Sequence, residues 1–162
     1  MKSLQIIKAK PNPTGKDRYR SFIPPRQLAA EWVDFKNDGN ERYPLGGISL
    51  HHIAFQPSCR DGKWREVMTF KGELESGKIV RIHSGNQIPL SDMNVEDTLG
   101  ADFHLFTGLN YIWNNDCGDT AGLWNGDVWV DNASYDPYPP EGVILHRVDD
   151  KLVPERPGVH KF

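Results

Sequence analysis

The side chains best suited to chemistry in this chain sit between two tryptophans. From Tyr111 to Asn125 the sequence reads YIWNNDCGDTAGLWN, with Asn114, Asn115, Asp116 and Asp119 gathered within a few residues. Carboxylate and amide oxygens are what Ca²⁺ takes, in sets of about six to eight, so Asn114, Asp116 and Asp119 are candidate metal ligands. The stretch lacks the alternate-residue spacing and the closing bidentate Glu of a calcium loop. The same residue types also close turns, because Asn and Asp bond nearby backbone N–H groups and Gly118 tolerates a positive φ. We therefore expect a structural motif of Trp113, Asn114, Asn115, Gly118, Asp119 and Leu123, holding no metal. Tyr111, Trp113, Leu123 and Trp129 should point into the core, with Asn114 and Asp116 at the edge.

Four of the six histidines, His51, His52, His83 and His104, offer imidazole for zinc binding or general-base work. His51 and His52 are adjacent, so on a regular strand they point to opposite faces. His83 and His104 bracket a long segment and can converge, but no His-Glu-x-x-His, Cys-x-x-Cys or Gly-x-Ser-x-Gly pattern completes a site. Cys59 and Cys117 are the only cysteines. They can pair in a two-layer β fold, although a reducing compartment favours free thiols and a thiol nucleophile needs a lowered pKa. Glu73, Glu75, Asp92, Glu96, Asp97 and Asp102 have no spacing that sets two carboxylates across a glycosidic bond. Lys8, Lys10, Lys16, Arg18 and Arg20, beside Tyr19 and Phe22, are the one basic concentration. They suit single-stranded nucleic acid weakly and a solvated entry loop better.

These groups need elements to hold them, and turn chemistry recurs about every ten residues. Strands are expected over Leu4–Ala9, Glu31–Lys36, Ile48–Phe55, Trp64–Lys71, Lys78–His83, Leu109–Asn114, Ala121–Asn125, Asp127–Asp131 and Gly142–Val148, each short and alternating. Pro11 to Asp17 breaks the first, and Asn125-Gly126 suits a hairpin turn. Ser84–Asp102 is long and acidic, with room for one helical turn begun by Ser91 or Asp92. With 162 residues, 15 Gly and 12 Pro, the chain fits one domain with many turns. Eight to nine short strands predict an all-β, Ig-like β-sandwich. A net charge of −3 gives no general field for polyanions, and no apolar run reaches the length of a bilayer span or a signal-peptide core. A cytoplasmic chain with no membrane contact is expected.

The order of pieces IIKAKPNPTGKD, EWVDFKNDGN, WREVMTFKGELESGKIVRIHSGN and YIWNNDCGDTAGLWNGDVWVDNASY resembles the lamin tail domain in its bacterial form, over residues 3–136. The resemblance implies an Ig-like sandwich over 1–136 that is usually not an enzyme, with 137–162 as a C-terminal extension carrying one further strand and a tail. It implies no cofactor and a protein partner, in a binding, tethering or structural role. The contact surface would be Ser84–Asp102 and an exposed sheet edge open to strand addition. The alternatives are a small metal-dependent hydrolase built near His83, His104 and Asp116, and a carbohydrate-binding module. The last requires Trp32, Trp64 or Trp129 to be exposed.

Overall fold

The computed structural model describes residues 3–15 and 22–154. In chain order the elements are β1 (Leu4–Lys10), α1 (Pro25–Ala29), β2 (Trp32–Asn37), β3 (Tyr43–Pro44), β4 (Ser49–Gln56), β5 (Arg60–Thr69) and β6 (Glu73–Leu74). They continue with β7 (Ile79–His83), α2 (Val95–Thr98), β8 (Phe103–Phe106), β9 (Asp119–Trp124), β10 (Trp129–Tyr135), β11 (Leu145–Val148) and β12 (Lys151–Val153). The protein is all-β. Ten strands form one curled sheet in the order β5-β4-β9-β10-β12-β11-β1-β2-β7-β8, and β3 pairs with β6 in a separate ribbon.

The curl follows from alternation. On β2, Val33 and Phe35 are buried in the core, as are Val80 and Ile82 on β7. Leu50, Ala121, Leu123 and Ala133 belong to the same cluster from the other half of the sheet. With a period of two, each of these strands turns one apolar row inward, and two such rows can be hidden from water only by facing each other. Phe35 meets Phe70 with ring centroids 5.1 Å apart. Full burial of a side chain of this size contributes about 1.5–3 kcal/mol.

Most expected strands lie within a few residues of the observed ones. Five features differ, the first being the count: twelve strands among the described residues where eight or nine were expected. Leu109–Asn114 is not a strand; Phe103–Phe106 is, and it runs parallel to β7 at the sheet edge with Arg81 opposite His104. The 137–162 extension supplies two strands rather than one, and β12 and β11 stand between β10 and β1 in the sheet. The turn of α2 begins after Asn94 rather than at Ser91 or Asp92, with a separate 3₁₀ turn over Leu90–Asp92. Cys59 and Cys117, expected as free thiols, are disulfide-bonded with Cα atoms 5.4 Å apart, because the β4–β5 connection brings Cys59 against the Asn-rich turn.

Candidate functional site

The Asn/Asp turn is built around Asp119, whose carboxylate is saturated by N–H donors. Oδ1 accepts from the backbone of Ile53 and Thr120, both at 2.8 Å. Oδ2 accepts from His52 Nδ1 at 2.9 Å and from the backbone and side-chain amides of Asn114 at 3.1 and 2.9 Å. Asn114 Nδ2 also reaches the Ile53 carbonyl at 2.7 Å, tying the turn to β4. Gly118 has a φ of 67°, and a Cβ there would lie 2.5 Å from the Tyr135 carbonyl oxygen. The Tyr135 hydroxyl donates to the Asn114 carbonyl at 2.8 Å. Burial first, then the Asp119 and Glu31 carboxylates, push its pKa well above the ordinary value, so the phenol keeps its proton.

The calcium candidates do not form a cage. Asp119 is engaged as described, Asn114 turns its amide N–H₂ toward acceptors, and Asp116 is exposed. Among the described residues no group of three His, Cys, Asp or Glu is placed to hold a metal ion.

The histidines part company. His52 belongs to the Asp119 clasp, while His51 on the other face meets Ser49 Oγ through Nε2 at 2.8 Å. His83 and His104 do converge, with Nε2 of the first 2.7 Å from Nδ1 of the second. His83 Nδ1 donates to the Ala29 carbonyl at 2.6 Å, so its Nε2 is the acceptor and His104 supplies the proton between them. Burial drives the His83 pKa down to about 4 against the opposing pull of that carbonyl, with His104 and Arg81 adding to the depression. Asp116 sits in the distant Asn-rich turn, on the segment bonded to β4 rather than β7. A cleft of about 440 Å³ lies beside the Asp119 clasp, lined by His52, Arg65, Glu66, Tyr111 and Asn114 among others.

Two surfaces stand out instead, one on each half of the sheet. The first is a strap. Residues 84–102 cross the outer face of the β1–β2–β7 layer, where alternation puts Lys10, Trp32, Asp34 and Arg81. All four are buried. Arg81 grips Asp34 with two bonds, Nε to Oδ1 at 2.7 Å and Nη2 to Oδ2 at 2.8 Å, and stacks 3.6 Å over the Trp32 ring. Its remaining arm donates to the strap carbonyls of Asp97 and Leu99 at 3.1 and 2.7 Å. Lys10 Nζ donates to Glu96 at 2.9 Å and Asp97 at 2.8 Å, and Trp32 Nε1 donates to Asp97 at 2.8 Å. Burial raises the Asp34 pKa in spite of Arg81. Lys10 therefore does not belong to a nucleic-acid patch: the strap carboxylates hold it inside. Lys8 is half-buried, and Lys16, Arg18 and Arg20 lie outside the described residues.

On its outer side the strap shows Val95 at 72%, Leu99 at 63% and, where β8 begins, Phe103 at 50% exposure. Strand β8 ends the sheet, with β7 as its one neighbour.

The second surface is aromatic. Trp64 on β5 lies 4.2 Å from Trp129 on β10, which lies 4.8 Å from Trp124 on β9; His51 meets Trp129 edge-on. Trp129 was expected in the core. A register shift between Trp129 and Asp131 turns it to the outside, opposite Trp124. It lies flat on Gly122, where a Cβ would come within 2.8 Å of the indole. Trp64 is 39% exposed, whereas Trp32 is fully covered by the strap.

No protein-family model matches the chain, and no curated protein does. Among the described residues no helix is long and apolar enough to cross a membrane.

Of the remaining expected acids, Glu73 and Glu75 pair with the exposed Arg42, and Asp102 accepts the Ile79 N–H at 2.8 Å. The role of the strap in covering charge had one signal in the sequence: Lys10, Asp34 and Arg81 alternate with core residues, a pattern that ordinarily means solvent.

Proposed function

We propose that this protein is a non-enzymatic binding or tethering module with an Ig-like β-sandwich of the lamin-tail kind, and that its contact surface is the strap and the adjoining β8 edge. The sandwich reading is supported by the two inward-facing apolar rows of the curled sheet and by the ordered motifs in the sequence. The function rests on one observation: Val95, Leu99 and Phe103 are held out in solvent by a segment that is itself clamped from beneath by Lys10, Trp32 and Arg81. Exposed apolar residues on a loose loop mean little, but on a fixed one they form a preorganised surface. The occupant that fits is an extended, apolar segment of another protein, adding to the β8 edge while its side chains cover Leu99 and Phe103. Selection from a displayed peptide library tests this. Alternating apolar sequences should be enriched on the wild type and lost on the Leu99→Glu, Phe103→Glu variant; equal enrichment on both removes the reading.

The exposed Trp64 face favours a second reading, a carbohydrate-binding module in which a sugar ring stacks on the indole. Electrophoresis through gels containing soluble polysaccharides should show retardation that Trp64→Ala abolishes. Mobility unchanged across the gels removes it. The Cys59–Cys117 bond supports an oxidising compartment rather than the cytoplasm expected above, and alkylation of the chain in its native extract would find no free thiol there.

A further inference from the structure

The geometry points to an intramolecular amide bond between Lys10 and Asp97, formed by the protein on itself, that fixes the strap covalently to β1. Lys10 and Asp97 are separated by 87 residues in sequence, and their side chains are 2% and 1% exposed. The contrast with Asp34 is instructive. There, Arg81 satisfies both carboxylate oxygens, one bond to each. At Asp97 both donors, Lys10 Nζ and Trp32 Nε1, converge on Oδ1. Oδ2 is buried and has no hydrogen-bond partner among the described residues. A carboxylate held only as an ion would leave that oxygen desolvated and unpaired, an arrangement that costs free energy.

The same arrangement suits acyl transfer. Trp32 N–H polarises the Cγ=Oδ1 bond from the side where negative charge develops, and Oδ2 is left as the leaving oxygen. Glu96, whose Oε1 is 2.9 Å from Lys10 Nζ, stands on the solvent side of the pair with 61% of its side chain exposed. Its carboxylate orients the Lys10 amine toward Asp97. A proton passes from the Lys10 ammonium to the Asp97 carboxylate across their 2.8 Å contact, giving an amine and a carboxylic acid. The Nζ lone pair attacks Cγ, the Nζ–Cγ bond forms and the Cγ–Oδ2 bond breaks. The second Nζ proton leaves with Oδ2 as water, and Glu96 ends as it began. No oxidant or other co-reactant enters. Arg81, bonded to the Asp97 carbonyl, and Trp32 hold the acyl carbon in place throughout. This inference does not depend on what the strap binds.

Electrospray mass spectrometry of the reduced, denatured wild-type chain tests it without any variant. The mass should be one water below that of the sequence, and proteolysis should give a branched peptide joining the segments that contain Lys10 and Asp97. Lys10→Arg should restore the full mass, and Glu96→Gln should leave a large fraction of unlinked chain. A full-mass wild type overturns the proposal. So does a dehydrated but linear Asp97 peptide that persists in Lys10→Arg, which is the signature of a succinimide.

Discussion

The two halves of the sheet treat their outer faces in opposite ways. On β1–β2–β7 the outward row is charged, and a segment of the chain has folded over it. On β5–β4–β9–β10 the outward row is aromatic, and it is left open. A charged row removed from water must be matched group by group, and the strap does so with two carboxylates and a set of carbonyls aimed at Lys10 and Arg81. The indoles need no such matching, since Trp64, Trp129 and Trp124 cover part of one another and their exposed faces tolerate water. The covered half is therefore vulnerable to loss of a single partner, and the open half to little beyond loss of its cross-link.

The most damaging way to test that contrast is Arg81→Ala. It leaves Asp34 buried without its hydrogen-bonded partner, with Lys8 as its remaining counter-charge, and frees the strap carbonyls, at a cost of about 3–5 kcal/mol in urea unfolding. Replacing Asp34 and Arg81 together with Leu and Met should cost much less, because no uncompensated charge remains. On the open half, reduction of Cys59–Cys117, which closes a 58-residue separation, should lower stability by about 4 kcal/mol on the loop-entropy account. A reduced protein as stable as the oxidised one would make the hairpin tip independent of the turn it is tied to.

Acid sharpens the comparison next. The His83 pKa is about 4 in the fold against an ordinary 6.5. The unfolded chain thus binds more protons between these values, and stability falls as pH drops through that window. The loss should approach about 3 kcal/mol near the lower end, and it should shrink in His83→Gln. The smallest effect is on the aromatic face. Trp64→Ala should cost about 1 kcal/mol, the scale of one aromatic pair, with the midpoint of urea unfolding as the measure.

The strands were legible because alternation and turn residues are local signals. Val33 and Phe35, or Val80 and Ile82, announce a core row whatever happens outside it. The Asp119 clasp was legible for the same reason: Asn114, Gly118 and Asp119 close their own loop and its neighbouring strand. What escaped was set by distant partners. Lys10 reads as a surface cation because its neighbours are Ala9 and a proline run, and the strap that buries it lies 86 and 87 residues away. Trp129 reads as inward because Asp131, Ala133 and Tyr135 share its parity, and only the slip against Trp124 reverses it. The pairing of Cys59 with Cys117 could be weighed only through an assumed compartment, while the approach of the hairpin to the turn decided it.

The position of β11 and β12 has a bearing on how the molecule comes into being. They occupy the seam between β10 and β1, so β1 and β10, made earlier, wait for β11 and β12 before the sheet is continuous. Until residue 153 is out of the exit tunnel, both β1 and β10 present a raw margin to whatever is nearby, and a nascent chain stalled short of that point should depend on a chaperone.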